Sequence, residues 1–255
     1  RIFSLRATSR GRGRRENLVI DPKDWVNIGI ITGLTYQNRE SRSSRINKAF
    51  GIVPLGDVYD ENGDINPFPI DGMDVVSIIA DDIPETYRNN RKSFSLTANP
   101  YIELSPVKGL SFKSILGTTL SASRQGVFNS DHTYMMLAGS TPQMRNASYS
   151  TDFGYYYIWE NILNYRITLA DHHNLGATFV TSYENSQSEG SYSYSEEFLY
   201  DDFLFFNIDA GINPRAESNY EVKKRMSYVG RIQYDYQGKY LLSGSVRYDG
   251  VSQLA

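Results

Sequence analysis

Hydrophobic and polar residues alternate with a period of two along most of this chain. In residues 26–36 the even positions are mainly apolar, whereas the odd positions are mainly Asn, Gly and Thr. The same alternation is found, more or less cleanly, in residues 93–104, 110–120, 155–169, 175–183, 228–236 and 240–248. Alternation over such lengths is typical of β-strands with one apolar face, and it argues against a helical fold.

The segments between these strands are alternately short and long. Short turns are predicted at residues 21–24, 105–109, 170–174 and 236–239, where Pro, Asp, Asn and Gly favour tight backbone conformations. Long polar connections are predicted at residues 38–92, 123–153 and 187–222. Loops of this length are uncommon in compact soluble domains. The layout is typical of outer-membrane β-barrels, which have short periplasmic turns and long extracellular loops.

The composition of the two faces supports a barrel in a membrane. The polar face consists of Ser, Thr, Asn, Gly, Arg and Gln and is too polar for a packed core. Aromatic residues gather near strand ends, as in interfacial girdles; they are Trp25, Tyr36, Tyr165, Tyr183, Tyr236, Tyr240 and Tyr248. The alternative is a soluble β-sandwich with one solvated face per sheet, but strands in globular proteins are usually about 5–6 residues long. We therefore predict an all-β fold, part of a large antiparallel transmembrane β-barrel with long extracellular loops and short periplasmic turns.

Charge gives little support for nucleic-acid binding. The net charge is -3, and the basic run at residues 10–15 has no interleaved aromatic residues for base stacking. We interpret this run as a barrel strand or loop. A second basic group consists of Arg39, Arg42, Arg45 and Lys48. It lies in a predicted outer loop, where it contacts lipopolysaccharide phosphates or is simply solvated.

The sequence contains no recognisable catalytic or metal-binding motif. There is no cysteine, and three histidines without cysteine argue against a zinc site. Asp60, Asn62 and Asp64 have the spacing of a calcium loop, but the glycine is misplaced and the terminal glutamate is missing. We therefore expect a turn at this segment. We also expect no enzymatic activity and no cofactor.

The aromatic segment 189–206 is the candidate contact site. Tyr192 and Tyr194 should project in the same direction, together with Phe198 if the strand continues that far. Aromatic rings in this position suit stacking on sugar rings or packing against a capping partner. The alternative is that the segment packs on its neighbours inside the barrel mouth.

Residues 227–255 resemble the SusC/RagA family of TonB-dependent transporters. The resemblance is carried by a Gly-Arg-hydrophobic-x-Tyr strand, followed by Lys-Tyr-Leu-Leu and Arg-x-Asp-Gly. The matching residues are Gly230, Arg231, Tyr234, Lys239, Tyr240, Leu241, Leu242, Arg247, Asp249 and Gly250. Residues 106–117 are similar to another hairpin of the family, whereas Val251-Ser252 departs from the family's Ser-Ser after Asp-Gly.

This resemblance implies a location and a set of partners. Residues 1–255 would be a partial TonB-dependent receptor β-barrel of about eight or nine strands, without the plug domain and the remaining strands. The protein would be a multi-pass β-barrel in the outer membrane of a Gram-negative bacterium, in contact with outer-membrane lipid. It would import glycans with a SusD-like surface lipoprotein, and the TonB complex would act through the plug. Peptide import of the RagA type is the alternative, as is a soluble or surface β-rich carbohydrate-binding module.

Overall fold

The described part of the chain forms one antiparallel sheet. A computed structural model describes residues 8–42, 56–139, 144–200 and 202–252. Eight strands lie side by side in chain order. Their bounds are β1 Thr8–Lys23, β2 Val26–Glu40, β3 Tyr87–Val107, β4 Leu110–Asn129, β5 Asn146–Leu169, β6 His173–Glu196, β7 Ile212–Tyr236 and β8 Tyr240–Val251. The helices are one α-turn, α1 Tyr134–Leu137, and 3₁₀ turns at Ala80–Asp82 and Ile208–Ala210. None of the described helices is long and apolar enough to cross a membrane.

The predicted alternation of turns and long connections is found, but the long connections are shorter than expected. They comprise residues 41–86, 130–145 and 197–211. The predicted bounds 38–92, 123–153 and 187–222 were wrong because polar residues continue the strands. For example, β4 and β5 remain in register from Leu110 opposite Tyr165 to Asn129 opposite Asn146. Backbone pairing persists there although the apolar alternation has ended.

The tight turns have local backbone causes. Gly109 has a φ of 85°, and a Cβ at this position would lie 2.1 Å from the Arg166 carbonyl oxygen. Gly238 has a φ of 68° and donates its N–H to the Asp235 Oδ1 at 2.7 Å. Glycine is therefore required at Gly109 by both conformation and space.

Register separates an apolar face from a polar face across the strands. One row of paired residues consists of Leu34, Leu96, Leu120 and Tyr155. The adjacent row, which points to the other side, consists of Thr35, Ser95, Ser121 and Gly154. Large apolar side chains stay exposed on the apolar face, with Trp159 52% exposed and Phe179 48% exposed. Among the described residues no second layer covers this apolar band, which is the arrangement expected for contact with lipid.

The apolar band shifts along the register from strand to strand. On β5 it extends outward to Phe153, whereas on β6 it ends at Tyr183. Tyr183 pairs with Trp159, six residues closer to the short turns than Phe153. Such a stagger is expected when strands are inclined to the barrel axis, because the band follows the membrane and not the register.

A small buried cluster lies where the connection 197–211 folds back on β4 and β5. Its buried members are Phe128, Ala147, Phe198 and Phe205. The Arg124 guanidinium lies 5.4 Å from the Phe205 ring centre and 5.7 Å from that of Phe206. The Phe205 ring occupies the space above Gly126, where a Cβ would lie 2.1 Å from a ring carbon. Because Gly126 has no side chain, the connection 197–211 can pack against β4 at this point.

Arg145 forms an ion pair within the connection 130–145 and a hydrogen bond to the connection 197–211. Arg145 Nη2 donates to Asp131 Oδ2 at 2.7 Å, and Arg145 Nη1 donates to the Leu199 carbonyl oxygen at 3.4 Å. The hydrogen bond from Arg145 is the main cause that lowers the pKa of Asp131 below its ordinary value, and partial burial opposes it. The charged Asp131 therefore stabilises the folded arrangement.

We expect Gly126→Val to detach the connection 197–211 without changing the strand register, because the new side chain would displace the Phe205 ring. The measurement is limited chymotrypsin digestion, with at least tenfold faster cleavage at Phe203 or Phe206. Gly244→Val is the control, since no heavy atom lies within 4 Å of its Cβ position. Equal cleavage rates in the two variants would contradict the packing described here.

We expect the link through Asp131 to be intact at neutral pH and lost in acid. A lowered folded-state pKa means that the stabilisation is present above the ordinary value of 3.8 and disappears as the pH falls through the folded pKa. Hydrogen exchange of residues 130–139, corrected for intrinsic rates, measures it. Asp131→Asn should remove the protection at neutral pH and make it independent of pH. A wild-type protein that keeps full protection at pH 2 would refute the role of the pair.

Candidate functional site

The candidate site lies on the polar face near the ends of β5, β6 and β7 that join the long connections. Asp152, Gly190 and Asn219 form one row of paired residues across these three strands. A Cβ at Gly190 would lie 2.5 Å from the Asn219 Oδ1 and 3.1 Å from the Asp152 Oδ1. Because Gly190 has no side chain, the Asp152 carboxylate and the Asn219 amide approach each other over its backbone.

The Asp152 carboxylate is held by a chain of hydrogen bonds on the same face. Arg91 Nη2 donates to Ser123 Oγ at 3.3 Å, and Ser123 Oγ donates to Asp152 Oδ2 at 3.2 Å. The other carboxylate oxygen lies beside Gly190. The arrangement fixes the orientation of an acceptor at the surface, which suits recognition of hydroxyl or amino groups.

The tyrosine pair lies on this polar face, directly outward from Gly190. Tyr192 and Tyr194 belong to β6, so their predicted position in a loop was wrong. Tyr192 pairs in register with Ser150 and Glu217, and its side chain is 40% exposed. The strand continues here because Ser, Gly and Tyr on β6 pair on both sides, although neither face is apolar.

Tyr194 is held more firmly than Tyr192. Its hydroxyl donates to Glu196 Oε2 at 3.1 Å, and the Arg215 guanidinium lies 5.8 Å from the ring centre. A cation at this distance from a ring is attracted by the negative potential of the aromatic face. We call the following group the outer polar platform: Asp152, Gly190, Tyr192, Tyr194, Arg215 and Asn219.

Phe198 is separated from the tyrosine pair. The strand ends at Glu196, and Glu197 adopts a left-handed conformation with a φ of 57°. Phe198 is only 7% exposed and belongs to the cluster with Phe128 and Ala147. The structure thus gives Phe198 a packing role and brings only Tyr192 and Tyr194 together. A role of the three aromatic residues in contact with substrate or partner stays a prediction.

Sequence reasoning missed most of the platform. Asp152 and Asn219 lie 67 positions apart, and no local motif links either of them to Gly190. The signal that could have found them is the strand register, which requires the bounds of β5, β6 and β7. These bounds were obscured because the polar ends of the strands lack an apolar alternation.

The other sequence candidates have structural explanations. Asp60 Oδ1 accepts the N–H groups of Asn62 and Asp64 at 2.9 and 2.8 Å, which produces the expected turn. Arg39 lies in β2 on the polar face, so its predicted position in a loop was wrong, because polar residues continue this strand to Glu40. Arg42 Nη1 pairs with Asp82 Oδ1 at 2.8 Å. Arg45 and Lys48 lie outside the described residues.

Within residues 8–42, 56–139, 144–200 and 202–252, no group of three or more His, Asp or Glu side chains could hold a metal ion. The basic run at residues 10–15 lies in β1, as the strand interpretation predicted.

Comparison with known proteins supports the expected relationship. No family model matches the chain. TonB-dependent receptor P3 of Formosa agariphila is 24% identical over 241 residues, which cover 90% of this chain and 23% of the relative. TonB-dependent receptor P26 of the same organism is 26% identical over 246 residues, covering 93% of this chain and 24% of the relative. The chain therefore spans about a quarter of the length of these relatives.

Solved structures with low sequence identity share the fold of this chain. A chain of the RagAB peptide transporter superimposes with a TM-score of 0.75 at 18% identity, over 96% of this chain and 28% of that chain. The RagAB peptide importer in its open-open state gives a TM-score of 0.76 at 19% identity, over the same fractions. The predicted resemblance is confirmed: the chain is related in sequence to TonB-dependent receptors and has the fold of part of a RagAB-type transporter barrel.

Proposed function

We propose that this chain is part of an outer-membrane importer that works together with a SusD-like surface lipoprotein and is energised through the TonB complex. The observation that carries the proposal is the division of one continuous sheet into an apolar face and a polar face. An apolar outer band and a polar interior are the arrangement of a transmembrane barrel that encloses a water-filled or plugged lumen. The sequence relationship to TonB-dependent receptors supports the same function.

Glycan is the cargo that the outer polar platform suits best. The exposed ring of Tyr192 provides a flat apolar surface for the C–H face of a sugar. Asp152 and Asn219 provide an acceptor and an amide for ring hydroxyl groups at the edge of that surface. Such a combination of a flat ring and hydrogen-bonding groups is suited to an uncharged, hydroxyl-rich ligand.

Peptide is the second candidate cargo. The similar RagAB proteins are described as a peptide transporter and a peptide importer. Arg215 and Glu217 lie beside the tyrosines on the same face and could pair with charged peptide groups. Binding of defined oligosaccharides and of defined peptides to the full-length protein, measured by calorimetry, distinguishes the two cargoes.

Membrane insertion is the first requirement of the proposal. The full-length protein should require detergent for extraction and should migrate differently on gels with and without heating, as a closed barrel does. The alternative function, a soluble or surface carbohydrate-binding module, instead requires residues 1–255 to form a water-soluble monomer. Such a monomer would refute the importer.

We expect Tyr192→Ala combined with Tyr194→Ala to weaken cargo binding about tenfold, which corresponds to about 1.4 kcal/mol. The physical reason is the loss of both ring surfaces from the platform. The measurements are binding of the cargo by calorimetry and uptake by cells that express the full-length protein.

The matched control is Tyr192→Phe combined with Tyr194→Phe. It keeps both rings but removes the hydroxyl that bonds Glu196, so binding should stay within threefold of wild type. Unchanged binding in the alanine variant would remove the tyrosines from the proposed site. Equal losses in the two variants would show that the hydroxyl groups, and not the ring surfaces, contribute.

A further inference from the structure

A row of cationic side chains follows the outermost apolar row on the apolar face of β1 to β4. The last continuous apolar row consists of Tyr36, Phe94, Ala122 and Phe153. The next row on the same face lies two residues further toward the long connections. It contains Arg10, Asn38, Lys92, Arg124 and Thr151. Three of its five members are cations, and Arg12 adds a fourth because it pairs with Tyr36 in the apolar row. We call Arg10, Arg12, Lys92 and Arg124 the outer cation row.

These cations are not neutralised by the acids that lie near them. Arg10, Arg12 and Lys92 are exposed, and within the described part of the chain none of them forms an ion pair. Glu16 pairs with Arg14 at 2.5 Å, and Glu40 pairs with Arg88 at 2.9 Å. Glu40 also accepts the Asn90 side-chain amide at 2.7 Å. Glu16 and Glu40 are therefore occupied by other partners. Glu85 and Asp202 line one cavity with Arg10, but among the described residues neither forms an ion pair with it.

The position of the row determines what kind of anion can reach it. Neighbouring strands are about 4.8 Å apart, so Arg10 on β1 and Lys92 on β3 are separated by roughly 10 Å across the sheet. A ligand on this face would have its anionic groups against the outer cation row and its remainder against the apolar rows below. Leu34, Leu96 and Leu120 belong to the next apolar row inward. The ligand that fits is an amphiphile with phosphate groups next to acyl chains.

We propose that the outer cation row binds the phosphates of a phosphorylated glycolipid of the outer leaflet, the lipid A part of lipopolysaccharide. Guanidinium groups bind phosphate through two parallel hydrogen bonds, and an ammonium group adds a point charge. The proposal rests on the membrane location proposed above. It assigns this role to side chains on the apolar face and not to the group Arg39, Arg42, Arg45 and Lys48. Binding there would fix the height of β1 to β4 relative to the leaflet.

The test uses the full-length protein in detergent with three of the cations neutralised: Arg10→Gln, Arg12→Gln and Lys92→Gln. Arg124 is left unchanged because it also contacts Phe205 and Phe206. Native mass spectrometry measures binding of bisphosphorylated lipid A and of the same lipid after removal of its phosphates. We expect wild type to prefer the phosphorylated lipid at least tenfold and the triple variant to lose most of this preference.

The matched control neutralises three cations on the polar face of the same region: Arg15→Gln, Arg39→Gln and Arg91→Gln. Alternation places them on the opposite side of β1, β2 and β3. Arg39 and Arg91 lie one residue outward of Asn38 and Lys92, and Arg15 lies three residues inward of Arg12. This control should bind phosphorylated lipid A within twofold of wild type. An equal loss in the control would overturn the proposal in favour of general charge attraction, as would a triple variant that binds like wild type.

Barrel formation is checked separately by the heat-dependent change in gel mobility. A wild-type protein without this change would refute the membrane location, and the lipid site with it. A folded triple variant with unchanged lipid preference would refute the lipid site alone. If the triple variant does not fold, Arg12→Gln by itself should lower the phosphorylated-lipid affinity about threefold, and an unchanged affinity would then overturn the proposal.

Discussion

Continuous backbone pairing across eight strands is the constraint on which the other features depend. In a bilayer every backbone N–H and C=O group needs an internal partner, so the strands must pair along their whole apolar length. Because side chains alternate strictly, a slip of one residue in any strand would transfer its residues to the opposite face. The outer polar platform and the outer cation row both exist because this register places residues from distant parts of the chain in common rows. Neither group has a local sequence motif.

The predictable part of the structure is the part in which one face must be apolar. Strands such as 240–248 were found from the sequence because lipid contact imposes a period of two. The outer ends of β4, β5 and β6 were predicted as loops because polar residues and glycine interrupt their apolar alternation, although their backbones continue to pair. The direction of Phe198 could not be predicted either, because it depends on the left-handed backbone at Glu197.

The long connections are joined to the sheet and to each other by a few specific contacts. Arg124 contacts two phenylalanine rings of the connection 197–211, and Arg145 links that connection to Asp131. Arginine is well suited to both positions, since its planar group contacts ring faces and also donates several hydrogen bonds. The surfaces next to the barrel mouth are thus held in place by contacts on the apolar side. The proposed cargo site lies on the opposite, polar side.

Gly190 determines the shape of the surface between Asp152 and Asn219. It occupies the one position in its row where a side chain would fill the space between Asp152 and Asn219. A larger residue at position 190 would fill this space and push the Asp152 carboxylate and the Asn219 amide apart. The backbone hydrogen bonds to the neighbouring strands could remain unchanged. A single substitution at position 190 would therefore change the shape of the proposed site without a change in the strands around it.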